Sequence, residues 1–164
     1  MNLKKIITTL SFLLLLSCGY EPIYSTKQIN SNYNFSINTI NYIGNNKVNQ
    51  ILKNKLKKIL DKEKKLTELN LNLNSRVAKT VTSKDEKGNP KRFLIKIIIN
   101  LEVYESEILK GKANFEEKFE YNNKSNKFDL KQYEKNIQRN LISNLSDEII
   151  RYLNNLGWYL KHLK

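Results

Sequence analysis

Three stretches of this chain alternate apolar and polar side chains with a period of two, and that alternation restricts the fold more than any other feature. Over residues 66–82, Leu69, Leu71, Leu73 and Val77 take one face, and Asn70, Asn72 and Asn74 take the other. Successive side chains of a strand point to opposite faces, so this pattern predicts a half-buried strand. Phe93, Ile95, Ile97, Ile99, Leu101 and Val103 repeat it over about 91–105. Leu94 and Ile98 make the reverse face of that strand partly apolar, which predicts a central place in the sheet. Between the two lies Lys84-Asp85-Glu86-Lys87-Gly88-Asn89-Pro90, a polar turn rich in residues that break strands. Lys110-Gly111 is expected to turn the chain into a further strand with Ala113, Phe115, Phe119 and Tyr121 on one face. Together these strands predict an antiparallel meander.

Two helices flank it in sequence. Residues 33–43 read as a strand (Phe35, Ile37, Ile40, Tyr42) whose alternation slips once near Thr39. Gly44-Asn45-Asn46 ends that strand and offers an N-cap. Val48, Ile51, Leu52, Leu56, Ile59 and Leu60 recur at helical spacing and predict an amphipathic helix over 47–61. The basic run Lys53 to Lys65 fits its solvated face better than a dedicated binding stripe. Near the end, Asp129 with Gln132 matches a capping box, and Phe128 with Tyr133 matches a hydrophobic staple. Tyr133, Ile137, Leu141, Leu145, Ile149, Leu153 and Leu156 make a nearly unbroken stripe that Gly157 is expected to stop. Trp158-Tyr159-Leu160, with Lys161 and Lys164, then reads as a short aromatic-basic tail that folds back on the core, with contact to a membrane or a partner as the alternative.

The expected class is α+β. It is a two-layer sandwich in the order β-α-β-β-β-α, with a four-stranded, mostly antiparallel sheet and two helices on one face. The reverse face would carry Asn70, Asn72, Asn74, Lys96, Asn100, Glu102, Asn114, Glu116, Lys118 and Glu120. A third layer there would bury many unsatisfied polar groups, so this face meets water or a wet partner.

The N-terminus predicts where such a domain works. Lys4 and Lys5 precede an apolar run from Ile6 to Leu16, and Leu15-Leu16-Ser17-Cys18 is a lipobox. The run is too short to span a bilayer, which takes about 20 apolar residues. Residues 1–17 are read as a signal peptide, 18–34 as a lipidated tether and 35–164 as a single domain. Cys18, the only cysteine, is the lipidation site, so the fold must hold without a disulfide. Gly19 lacks the acidic signal for inner-membrane retention, which predicts an outer-membrane anchor.

The formal charge of +13 raises nucleic acid as a partner, but export removes the chain from the nucleoid. All but four of the 29 basic residues are lysine, in a chain also rich in Asn and Ile, which fits AT-rich coding rather than phosphate readout. No nucleic-acid partner is expected; a basic surface in an envelope meets anionic lipids or lipopolysaccharide. No catalytic residue, metal ligand or cofactor is expected either. The only histidine, His162, stands near the end, and no His/Cys cluster or phosphate-binding glycine loop occurs. Glu116-Glu117 and Asp147-Glu148 occupy ordinary surface positions.

Cys18-Gly19-Tyr20-Glu21-Pro22-Ile23-Tyr24 resembles the opening of the lipopolysaccharide-assembly lipoprotein family, LptE, in its alphaproteobacterial form. Tyr121-Asn122 through Phe128 into Gln132-Tyr133-Glu134 is similar to that family's entry into its last helix, and the element order agrees. The resemblance implies a non-enzymatic outer-membrane lipoprotein facing the periplasm and a barrel lumen. It would act as the plug of an LptD-like β-barrel that inserts lipopolysaccharide, assist that barrel's assembly and bind lipopolysaccharide itself. On that reading Lys84, Lys87, Lys91 and Arg92, at the tip of the longest hairpin, are the candidate lipopolysaccharide contacts. A solvated turn, its charge partly cancelled by Asp85 and Glu86, explains the same residues. A free-standing envelope lipoprotein with another anionic partner is the alternative function.

Overall fold

The computed structural model describes residues 35–60 and 67–162, without the side chains of residues 58–60. The signal, the tether with Cys18, and the Ile59 and Leu60 side chains lie outside the described residues.

Within them the order is β1 (Ser36–Gly44), α1 (Asn46–Leu60), β2 (Glu68–Lys84), β3 (Pro90–Glu105), β4 (Ile108–Asn122) and α2 (Lys127–His162). The sheet order is β1-β2-β3-β4, with β1 parallel to β2 and the other two pairings antiparallel. This is the expected α+β order with one parallel edge strand, reached through α1 as the crossover. The slip near Thr39 is a bulge. Ile37 pairs with Leu69 and Thr39 with Asn70, so Asn38 is extra, and Ile40 and Tyr42 return to the inner face.

That inner face is the core. Leu69, Leu71, Leu73, Ile95, Ile97, Ile99, Leu101 and Val103 are fully buried beneath Val48, Leu52 and Leu56 of α1 and Leu145, Ile149 and Leu153 of α2. Each such side chain contributes about 1.5–3 kcal/mol by leaving water. The 36 residues of α2 rise about 54 Å, enough to run the length of the sheet. It lies along β4 in the opposite direction: Tyr121 meets Tyr133 near one end, and Phe115 meets Tyr152 toward the other. Phe119, expected in the core, is left 43% exposed between these contacts.

Several local expectations are overturned. The β3–β4 turn is Ser106-Glu107, both at positive φ, and Lys110 and Gly111 belong to β4. Gly111 serves close packing instead: a Cβ there would stand 2.5 Å from the Tyr152 hydroxyl and 3.0 Å from Leu156. Gly157 does not stop α2, which continues to His162. It is buried against the Phe35 ring, which an added Cβ would approach to 2.5 Å. Trp158 and Tyr159 therefore ride on the last turn of α2, exposed, and do not fold back. Finally, α2 is capped by Asn126 and not by Asp129. The Asn126 amide oxygen accepts from Phe128 N at 2.9 Å and Asp129 N at 3.4 Å. Phe128, 76% exposed, staples nothing.

The Tyr42 hydroxyl is buried on the inner face with no hydrogen-bond partner. Burial pushes its pKa up to about 12. Removing a buried, unpaired hydroxyl relieves a desolvation cost, so Tyr42→Phe should raise unfolding free energy by about 1 kcal/mol in urea titrations. A raised phenol pKa adds stability that is present below pH about 10 and lost as pH climbs towards about 12. The variant should therefore lose less stability than the wild type across that window. Equal alkaline losses would contradict this assignment.

Candidate functional site

No helix of the described residues is long and apolar enough to cross a membrane. The surface offers instead an uncovered sheet face, a basic hairpin tip and a groove between the helices.

The uncovered face is built by the outward residues of all four strands, and it is paired within itself. Lys112 Nζ meets Glu102 at 2.8 Å, and the Tyr104 hydroxyl donates to the same carboxylate at 2.9 Å. These bonds hold the Glu102 carboxyl below its usual range, the Lys112 contact most. Lys96 meets Glu116 at 2.7 Å, Asn114 donates to Asn100, and Thr39 donates to Asn70 at 2.8 Å. Each exposed pair is worth little to stability. Collectively they leave a largely polar face, crossed by Leu94 and Ile98 of β3, that suits water or a polar wall. Near β1 it dips into a depression of about 420 Å³ bordered by Ile43, Asn72, Asn74 and Asn100.

The hairpin tip is a closed turn. Asp85 N donates to Asn89 O at 2.9 Å, and the Asp85 carboxylate accepts from Asn89 N at 2.8 Å and Lys87 N at 2.9 Å. Its carboxyl is held below the usual range, chiefly by the Asn89 side-chain bond, with Lys91 adding through-space attraction. The four basic residues singled out from sequence are not equivalent here. Lys84, Lys87 and Lys91 are exposed around the turn. Arg92 belongs to the outward face, where its Nη2 meets Glu120 at 2.6 Å and Thr82 donates to the same carboxylate. One nitrogen of its guanidinium is thus engaged.

The groove was not legible in the sequence. α1 starts at the Asn45 cap, whose side-chain oxygen accepts from Lys47 N and Val48 N, both at 3.1 Å. Lys47 reaches across to Gln138 on α2 at 2.7 Å. Lys131 and Lys135, one turn apart, line the same opening of about 420 Å³ with the exposed Phe128. Only the four-residue spacing of Lys131 and Lys135 hints at this grouping; the cross-helix partner has no local signal. Behind the groove, Glu134 accepts from Lys79 at 2.6 Å and from the Tyr121 hydroxyl at 2.7 Å. Burial, aided by that bond, pushes the Tyr121 phenol well above its ordinary pKa. Lys79 also lies 4.1 Å over the Phe93 ring, so this cluster ties β2, β3, β4 and α2 together.

No family model matches the chain, and no curated protein matches it in sequence. Solved structures do match it in fold. The rare lipoprotein B from Shewanella oneidensis superposes with a TM-score of 0.57 at 12% identity, over 76% of this chain and 100% of that one. A minor lipoprotein from Acinetobacter baumannii gives 0.55 at 12% identity, over 75% of this chain and 92% of that one. At such identity the shared property is the fold: a mixed four-stranded sheet carrying two helices.

Proposed function

We propose that this chain is a lipid-anchored envelope protein that plugs an outer-membrane β-barrel and assists the insertion of lipopolysaccharide. The observation that carries this reading is the uncovered sheet face. It is broad, largely polar and in good part paired within itself, which suits the polar lumen of a barrel. The lipobox at Cys18 supports the anchor. The fold likeness to two proteins named as lipoproteins supports the lipid anchor. The test is extraction from the native membrane in mild detergent: the chain should co-purify with a barrel, and recovery only as a monomer would contradict the plug reading.

The basic tip supplies the lipid contact in this scheme. Replacing Lys84, Lys87 and Lys91 by Gln should weaken lipid A binding about tenfold, corresponding to about 1.4 kcal/mol, with the fold intact. Adding Arg92→Gln should cost less further affinity than each lysine change, because that guanidinium already pairs with Glu120. Raised salt should weaken wild-type binding in the same direction. Unchanged affinity in the folded triple variant would leave the turn as a merely solvated one.

The alternative, a free-standing envelope lipoprotein with another anionic partner, draws on the basic groove of Lys47, Lys131 and Lys135. Co-purification separates the two readings.

A further inference from the structure

We infer that the end of the domain holding the β3–β4 turn and the last turn of α2 docks onto the phospholipid surface beside the anchor. It does so through Ile108, Leu109, Trp158 and Tyr159. The inference rests on the lipid anchor at Cys18 and goes beyond the plug role.

Two elements distant in sequence meet at this end. Because α2 runs back along β4, Gly111 packs against Tyr152 and Leu156, so the turn at Ser106-Glu107 lies beside the final turns of the helix. There the chain leaves four large apolar or aromatic side chains open: Ile108 at 60%, Leu109 at 51%, Trp158 at 51% and Tyr159 at 59%. The indole is held in place. It stacks on His162 at 4.3 Å and meets the Tyr159 ring edge-on at 5.2 Å, while His162 Nδ1 bonds the Trp158 carbonyl at 2.8 Å. Lys161 lies in the same last turn, and Lys110 follows Leu109, its ammonium 3.5 Å from Glu105.

Tryptophan and tyrosine with nearby lysine is the chemistry of a membrane–water interface. The rings present an apolar body and a polar edge, and lysine stems let the ammonium reach the headgroups. Glu107 at the turn limits the depth: a carboxylate stays among the headgroups, so the patch lies on the bilayer and does not cross it.

The chain's own path names the occupant. Phe35, where the described domain begins, packs against Gly157 at this same end. Seventeen residues separate Cys18 from Phe35, so the contour length of the chain limits the acyl chains to within about 60 Å of this end. Acyl chains at Cys18 would hold the patch within reach of the leaflet at high effective concentration, so weak contacts suffice. The basic hairpin tip, at the far end of β2 and β3, would then point away from that leaflet.

Trp158 is the only tryptophan in the chain, so its emission reports the patch directly. The full acylated chain would be bound to vesicles of phosphatidylethanolamine and phosphatidylglycerol, with and without brominated acyl chains. Expected are a blue shift on binding and quenching by the bromines. An Ile108→Ser, Leu109→Ser, Tyr159→Ser variant should stay on the vesicles by its acyl chains but lose both signals, with unchanged circular dichroism. Acylated wild type whose emission stays water-like and unquenched on vesicles would overturn the docking and leave the anchor standing. If mass spectrometry finds no acyl group, quenching of the unacylated chain at high vesicle concentration still supports the patch, while its absence overturns it. A shift that needs added barrel, without bromine quenching, assigns the patch to a protein wall and overturns the inference.

Discussion

Cys18→Ser should abolish acylation altogether: the precursor accumulates with its signal, and no acyl mass appears. The effect is all-or-none because Cys18 is the only cysteine in the sequence. Each buried methylene contributes about 0.8 kcal/mol, so losing two or more acyl chains moves partition by many orders of magnitude. The aromatic end of the domain is a surface contact and holds the chain only weakly once the tether is cut. Intact-mass measurement with membrane fractionation decides it. An unacylated mature N-terminus elsewhere than Cys18 would contradict the assignment.

Gly44→Ala should cost about 3 kcal/mol or more in urea unfolding, the largest stability loss expected from so small a change. Gly44 ends β1 at φ +95°, where a side chain costs about 1–2 kcal/mol. Space is the harder constraint: a Cβ would stand 2.0 Å from the backbone oxygen of Ser75. That oxygen cannot retreat freely, because it accepts from Asn45 N at 3.1 Å. The Ser75 hydroxyl is held as well, donating to Asn49 at 2.7 Å and accepting from Asn45 N at 3.0 Å. Asn45 in turn caps α1, so displacing β1 from β2 also disturbs the helix start. A loss under about 0.5 kcal/mol would show that this corner can relax and carries no strain.

What the sequence made legible follows a physical line. Features set by neighbours in the chain were readable: the alternation of Leu69 to Val77, the slip that became the bulge at Asn38, the Asn45 cap and the stripe of Ile137 to Leu153. Features set by distant partners were not. Gly111 and Gly157 looked like punctuation, but their missing Cβ makes room for Tyr152 and Phe35, which no local pattern can signal. Asn126 and Asp129 are both capping residues three apart, and only the turn geometry after β4 selects Asn126. The hairpin tip was readable as a basic turn, yet Glu120 lies 28 residues from Arg92, and their pairing removes Arg92 from the free charges. The groove of Lys47 with Lys131 and Lys135 needs the helix packing before it exists.

Site-specific photo-crosslinking in intact cells tests the central claim most directly. A probe at Asn72, Asn100 or Lys118 on the uncovered face should capture an outer-membrane barrel, and a probe at Arg151 on the surface of α2 gives the comparison. The account predicts abundant barrel adducts from all three face positions. Adducts to soluble proteins or to none from those positions, in cells where the chain is acylated and folded, would contradict it.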